Sequence, residues 1–242
     1  MRASLVASTV VLAACILGIE GLGRTAPKDD PFAARRQTMV ADQLASRDIR
    51  DKRVLAAMGR VPRHLFVPLA YASQAYEDYP LPIAEGQTIS QPYIVALMTQ
   101  CLELRGGETV LEVGTGSGYQ AAVLSQLVSR VCSIEINARL ADSAAALLKK
   151  LGYDNVEVRW GDGFFGWPEK APFDAVIVTC AARKVPAPLF DQLKEGGRLV
   201  IPVEAGLDSQ RLVRVRKVKG RAREEEITLV RFVPMLGEDK KK

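Results

Sequence analysis

Three glycines at alternating positions, Gly114, Gly116 and Gly118, follow the apolar run Val110-Leu-Glu-Val113 and precede Tyr119-Gln-Ala-Ala-Val-Leu124. A strand that turns through glycine into a helix brings its backbone close to a ligand and presents free N–H groups at the helix start. Thr115 and Ser117 add two hydroxyls to the same loop, and two acids flank it. Glu112 stands on the strand just before the glycines. Glu135 closes the next alternating run, Val131-Cys-Ser-Ile-Glu-Ile136, about 20 residues after Gly114, the interval at which a carboxylate grips ribose hydroxyls in a strand–helix–strand nucleotide fold. Asp162-Gly163 ends a third strand, Val156-Glu-Val-Arg-Trp160. There a carboxylate can accept from an adenine amino group, or simply make an Asp-Gly turn.

The ligand of such a loop follows from its charges. A phosphate-binding loop needs Gly-Lys-Ser/Thr, and this one has no lysine. A dinucleotide loop is G-x-G-x-x-G; here Gly118 comes one position early and Tyr119 takes the place of the last glycine. Glu112 would also serve a pyrophosphate poorly. A cationic, phosphate-free cofactor tolerates that carboxylate. S-adenosylmethionine, with a sulfonium and an ammonium, meets the description.

The elements that must hold these residues are legible on both sides. Asn137 can cap a helix whose Leu140, Ala144, Leu147, Leu148 and Leu151 share one face. Pro172–Thr179 is a continuous apolar strand of the buried parallel kind. Leu193–Pro202 reads as a helix end, a glycine turn and a fifth strand. This alternation predicts an α/β fold, a doubly wound Rossmann-like sheet with helices on both faces. Upstream, Phe32–Ile49 reads as a helix, Asp51 can cap the next, and Ser90 is placed to cap a helix that starts near Pro92. Downstream, Arg211, Arg214, Arg216, Lys217, Lys219, Arg221 and Arg223 are answered by Glu224, Glu225 and Glu226. We read a C-terminal β-hairpin at the sheet edge, where charge blocks aggregation, in preference to a nucleic-acid patch. Cys101, Cys132 and Cys180 lack C-x-x-C spacing and His64 is the only histidine, so no metal site is expected.

Two further segments narrow the reading. Val61-Pro-Arg-His-Leu-Phe-Val-Pro68 and Tyr79-Pro-Leu-Pro-Ile-Ala-Glu-Gly-Gln-Thr-Ile-Ser-Gln-Pro-Tyr93 precede the glycine loop. With it they resemble the protein-L-isoaspartate O-methyltransferase family, within the class I S-adenosylmethionine-dependent methyltransferases. The resemblance covers roughly residues 35–236, and the Gln87-Thr-Ile-Ser-Gln-Pro92 run is its most specific part. One departure is Ala84, where the family usually has Gly. The resemblance implies methyl transfer to isoaspartyl carboxylates of damaged proteins and peptides, followed by spontaneous closure to a succinimide. It implies Ser90 as the catalytic residue and Gln87, Thr88 and Ile89 as its loop. Glu112 and the loop Gly114, Thr115, Gly116, Ser117 and Gly118 would hold the methionine part, Glu135 the ribose, and Asp162 with Gly163 the adenine. The N-terminal helices would cover the cofactor site. A methyltransferase for another small-molecule or nucleic-acid acceptor would share the cofactor half without needing the Gln87–Pro92 run.

The 242 residues, 48% hydrophobic and 25% charged with a net charge of +5, suit a single domain with a sizeable core. We divide the chain into a leader (1–26), a linker (27–34), one methyltransferase domain (35–236) and a charged tail (237–242). The domain itself comprises a helical cover with the active-site loop (35–105) and the cofactor-binding sheet with C-terminal strands (106–236). In the leader, Arg2 precedes an apolar run to Ile19 that resembles a secretory signal, and Leu12-Ala-Ala-Cys15 resembles a lipoprotein cleavage box. This suggests export to the bacterial envelope with a lipid anchor at Cys15. An uncleaved anchor, or a cytoplasmic form from a later start, as is usual for the family, are the alternatives. Membrane association is expected only through this leader, and the protein is expected to be a monomer that binds no nucleic acid.

Overall fold

The computed structural model describes residues 30–206 and 209–238. The expected leader with Cys15, linker residues 27–29 and tail residues 239–242 lie outside the described residues. Among the described residues no helix is long and apolar enough to cross a membrane.

The cover begins with α1 (Ala33–Thr38), which passes directly into a π-helical stretch, Met39–Ala45. The single helix expected from Phe32 to Ile49 thus forms in two hydrogen-bonding patterns. In α2 (Lys52–Arg60) the Asp51 carboxylate accepts from the Arg53 N–H at 2.8 Å, the expected cap. A short hairpin, β1 (Leu81–Pro82) and β2 (Thr88–Ile89), carries the active-site loop. Ala84 avoids the left-handed region; its neighbour Glu85 occupies it instead, at φ 58°. So the missing glycine at 84 costs nothing.

Ser90 does not cap α3 (Pro92–Cys101). The chain is still extended at Gln91, which takes the N-cap position, and the Gln91 amide donates to the Asp78 carbonyl at 2.9 Å. Proline at the first helical position already removes one of the N–H groups a cap would satisfy. Ser90 is left half-buried, facing the site described below.

The main sheet follows in chain order: β3 (Thr109–Val113), α4 (Tyr119–Ser125), β4 (Arg130–Glu135), α5 (Ala138–Leu151), β5 (Val156–Trp160), β6 (Phe173–Val178), α6 (Ala187–Asp191), β7 (Leu193–Glu204), β8 (Gln210–Val218) and β9 (Arg221–Val230). The spatial order is β5-β4-β3-β6-β7-β8-β9. The first five strands are parallel, and β8 and β9 add an antiparallel hairpin, as expected. The sheet buries both faces. Along β3, Val110 enters one apolar cluster with α2, α3 and α4, while Leu111 and Val113 enter another with Trp167 and Leu189.

Asn137 caps α5, accepting from Arg139 N–H at 3.0 Å and Leu140 N–H at 3.2 Å, and Gly152 at φ 75° ends it. One boundary differs from the sequence reading. The helix before the fifth strand stops at Asp191, and Leu193 already pairs with Phe173. The glycines at 196 and 197 sit inside β7, where the register slips between Phe173 and Ala175.

Candidate active site

β3 and β6 lie side by side at the sheet centre, and the chain leaves them toward opposite edges. The crevice outside the carboxyl ends of two such strands is where open α/β sheets bind ligands. Here those ends are Val113-Gly114 and Val178-Thr179. The Gly114 N–H donates to the Ile134 carbonyl at 2.8 Å and the Thr179 N–H to the Val113 carbonyl at 2.9 Å, so the ladder continues to the lip of the crevice. Gly114, Gly116 and Gly118 then take φ values of 96°, 53° and 88°. These left-handed turns let the loop double back into α4, a path that side-chain-bearing residues rarely follow.

Glu135 pins this loop. Its Oε2 accepts from the Gly116 N–H at 2.8 Å and its Oε1 from the Asn137 N–H at 3.0 Å, and the residue is 6% exposed. Above it lies a cavity of about 190 Å³. Its polar wall includes Glu85, Gln87, Thr88, Glu135, Asn137 and Thr179, and its apolar wall includes Val113, Ile134, Ile136, Met235 and Leu236. Among the described residues two carboxylates line this space and no lysine, arginine or histidine does. The donor set suits a cation with an apolar, planar part and suits a polyphosphate poorly. That is the charge pattern of S-adenosylmethionine.

A smaller space of about 40 Å³ adjoins it, walled by Ile89, Ser90, Thr115 and Ser117. An open cleft of about 750 Å³ follows, between Pro80, Ser90 and Ile94 on one side and Leu229–Val233 on the other. The structure therefore brings Gln87, Thr88, Ile89 and Ser90 together with Gly114, Thr115, Gly116, Ser117, Glu135 and Gly163 around connected spaces.

Three expected site residues stand elsewhere. Gly118 lines none of these spaces; a Cβ there would come within 3.2 Å of Leu148 on α5, so its glycine serves packing as well as the turn. Asp162 turns both oxygens to backbone, accepting from Phe164 N–H at 2.9 Å and Glu238 N–H at 2.8 Å. The residues set apart as a charged tail thus begin against Asp162. Glu112 is wholly buried beneath the loop. Its Oε2 accepts from Ser133 Oγ at 2.5 Å, and Thr115 Oγ1 lies 2.5 Å from the same hydroxyl. Its Oε1 has no partner.

Burial pushes the Glu112 carboxyl up to about 8; the Ser133 hydrogen bond opposes this and nearby Glu135 adds to it. A folded-state value above the ordinary 4.5 means that the folded protein binds a proton the unfolded chain has lost. Stability therefore declines as pH rises from the ordinary value toward about 8, and levels off above it. We expect Glu112→Gln to abolish this decline. Melting followed between pH 5 and 9 should show wild type falling relative to the variant; parallel curves would exclude Glu112 as the titrating group.

Sequence reasoning missed Glu85, Thr179 and the segment Val233–Leu236 as walls of the site. Asn137 was seen only as a cap. Thr179 had a signal, since it ends the strand beside β3. The C-terminal segment had none: it returns through a bridge between Ala181 and Pro234, far apart in sequence.

Comparison with known proteins bears on the whole of this arrangement. Residues 34–240 match the family model of protein-L-isoaspartate(D-aspartate) O-methyltransferase. Protein-L-isoaspartate O-methyltransferase 2 of Shewanella sediminis is 56% identical over 208 residues, 86% of this chain and 85% of the relative. Protein-L-isoaspartate O-methyltransferase 1 of Syntrophobacter fumaroxidans is 57% identical over 206 residues, 85% of this chain and 96% of the relative. Among solved structures, a protein-L-isoaspartate O-methyltransferase superposes with TM-score 0.76 at 32% identity, covering 84% of this chain and 67% of that one. A putative one from Plasmodium falciparum, in complex with S-adenosyl-L-homocysteine, gives 0.73 at 26% identity over 83% of this chain and 98% of that one. Agreement of this extent, from the cover through the sheet to the returning C-terminal segment, shows that the chain belongs to the protein-L-isoaspartate(D-aspartate) O-methyltransferase family.

Proposed function

We propose that the protein transfers a methyl group from S-adenosylmethionine to the free carboxylate of L-isoaspartyl residues in damaged proteins and peptides. One observation carries the reading: a cation-seeking cavity meets a wide, open cleft at Thr88–Ser90, so a small donor and a large acceptor can approach one point from opposite sides. When bound, the cofactor would supply an electrophilic methyl on a sulfonium, which the cavity and the Thr88–Ser90 segment would hold toward an acceptor carboxylate in the cleft. The acceptor carboxyl, ordinarily near pKa 4, is already ionised at neutral pH, so no general base is required. This agrees with the position of the only histidine. His64 stacks on Phe32 at 4.5 Å and bonds Tyr76 Oη at 2.7 Å, within the cover.

The roles we assign follow the geometry. Glu135 grips the ribose while holding Gly116. Glu112 with the 114–118 loop supports the methionine part, and Gly163, with Asp162 behind it, borders the adenine. Gln87, Thr88 and Ile89 shape the junction, and the Ser90 hydroxyl orients the incoming carboxylate. Alignment and exclusion of water supply the acceleration. We read the partner as polypeptide and not nucleic acid; in support, part of the basic hairpin's charge is already paired, Arg211 lying 3.0 Å from Glu224 and Arg214 2.7 Å from Glu103. We read residues 35–236 as one monomeric domain, consistent with Met39 of the cover and Leu212 of β8 sharing one apolar cluster.

Transfer of labelled methyl to an isoaspartyl peptide tests the reading. Incorporation should be base-labile and absent with the aspartyl peptide of the same sequence; equal labelling of both would overturn it. Within this reading, Ser90→Ala should lower kcat about ten- to a hundredfold, the value of one hydrogen bond to a charged group. Because Ser90 caps no helix, melting should be unchanged. Full turnover would remove Ser90 from the mechanism.

A further inference from the structure

Two residues, Thr88 and Thr179, line all three spaces of the site: the cofactor cavity, the small space beside the glycine loop and the open cleft. They therefore stand where the cofactor side and the acceptor side of the site meet. Thr88 belongs to the active-site loop. Thr179 has had no role so far, yet it stands at the carboxyl end of β6, at the point where the sheet changes direction.

Its contacts are directed. The Thr179 N–H donates to the Val113 carbonyl at 2.9 Å, and its Oγ1 donates to the Gly114 carbonyl at 2.6 Å. The hydroxyl has one proton. Oγ1 also lies 3.1 Å from the Val113 carbonyl, so two backbone carbonyls at the start of the glycine loop share that proton. Thr179 is therefore built as a clip and a wall. The side chain is half-buried, and Gly114 is close enough that a Cβ on it would lie 2.4 Å from Thr179 Oγ1.

Resting on the methyl-transfer reading, we propose that Thr179 is a positioning and specificity residue: its hydroxyl fixes the first peptide of the glycine loop, and its side chain sets the width of the neck, which admits a methyl group and excludes anything larger. A hydrophobic contact that discriminates one methylene is worth about ten- to two-hundredfold in relative rate. The neck is of that kind, acting on the group transferred rather than on the acceptor.

The test separates width from clip. Wild type, Thr179→Ala, Thr179→Ser and Thr179→Val are compared with S-adenosylmethionine and with its S-ethyl analogue on an isoaspartyl peptide. Thr179→Ala, which widens the neck, should raise the ethyl-to-methyl rate ratio at least about tenfold. Thr179→Val keeps the width and should leave the ratio within about twofold. Independently of turnover, amide hydrogen exchange at residues 114–116, measured with and without S-adenosylhomocysteine, should quicken in Thr179→Val and be restored in Thr179→Ser, which keeps the hydroxyl. An unchanged ratio in Thr179→Ala, with active wild type, overturns the neck. Unchanged exchange in Thr179→Val overturns the clip. A wild type that transfers neither group to the isoaspartyl peptide overturns the methyl-transfer reading itself, and is told apart from both.

Discussion

Glu135→Ala should weaken binding of S-adenosylmethionine and of its product about ten- to a hundredfold, the largest loss of affinity expected from any single side chain of the site. Two effects combine. Hydrogen bonds that a carboxylate accepts from sugar hydroxyls are worth about 1.5–3 kcal/mol in total. The same carboxylate also accepts from the N–H groups of Gly116 and Asn137, at 2.8 and 3.0 Å. With the acceptor gone, two half-buried donors lose their partner, and each such loss costs at most about 1–3 kcal/mol, less where water reaches the donor. The variant should therefore melt lower even without cofactor. Titration calorimetry with S-adenosylhomocysteine separates the contributions. Unchanged affinity in a destabilised protein would reduce Glu135 to a structural anchor.

Gly114→Ala should be the most damaging single methyl group that can be added to the site. The backbone there holds φ 96°. Strain of this kind costs about 1–3 kcal/mol for a residue with a Cβ. The added carbon would also meet Thr179 Oγ1 at 2.4 Å. That oxygen is held by the Gly114 carbonyl, so yielding breaks the bond that fixes the loop. Overpacking adds about 1–3 kcal/mol. Turnover should fall at least about a hundredfold, because a loop displaced by a fraction of an ångström misaligns the reacting atoms. The double variant Gly114→Ala/Thr179→Ala removes the clash and keeps the strain. Its stability should recover partly, by the overpacking share alone, a non-additivity readable in a thermodynamic cycle. Additive losses would place the cause in the backbone angle only.

The parts of this protein that could be read in the sequence are those determined by neighbours. The glycine run announced β3, the loop and α4 because the turn needs φ values that few residues tolerate. Asp51 and Asn137 announced helix starts because a cap is a bond to residues two or three positions on. Ser90 misled for the same reason: it stands beside a proline-started helix, but Gln91 was drawn to Asp78 across the fold. Asp162 resembled a free turn carboxylate, and its second oxygen is taken by Glu238, whose approach no local pattern could foretell. Glu112 and Glu135 were named together as acids flanking a loop. Only burial distinguishes the first, under the loop and shifted upward, from the second, on the cavity wall. The Ala181–Pro234 bridge brings in the last wall, and long-range pairing leaves no periodic trace.

That last wall has a practical meaning. Met235 and Leu236 border the cofactor cavity, and Gly237 packs so closely on Asp162 that a Cβ there would lie 2.3 Å from a carboxylate oxygen. Loss of residues 235–238 would open the cofactor cavity while leaving in place every strand of the sheet, the last of which, β9, ends at Val230. Met235 is also buried in the apolar cluster with Trp167 and Leu189, so a chain cut before it should melt lower as well as bind the cofactor more weakly. Insertions and fusions downstream of Gly237 accordingly call for a spacer, and intact mass belongs beside every activity measurement.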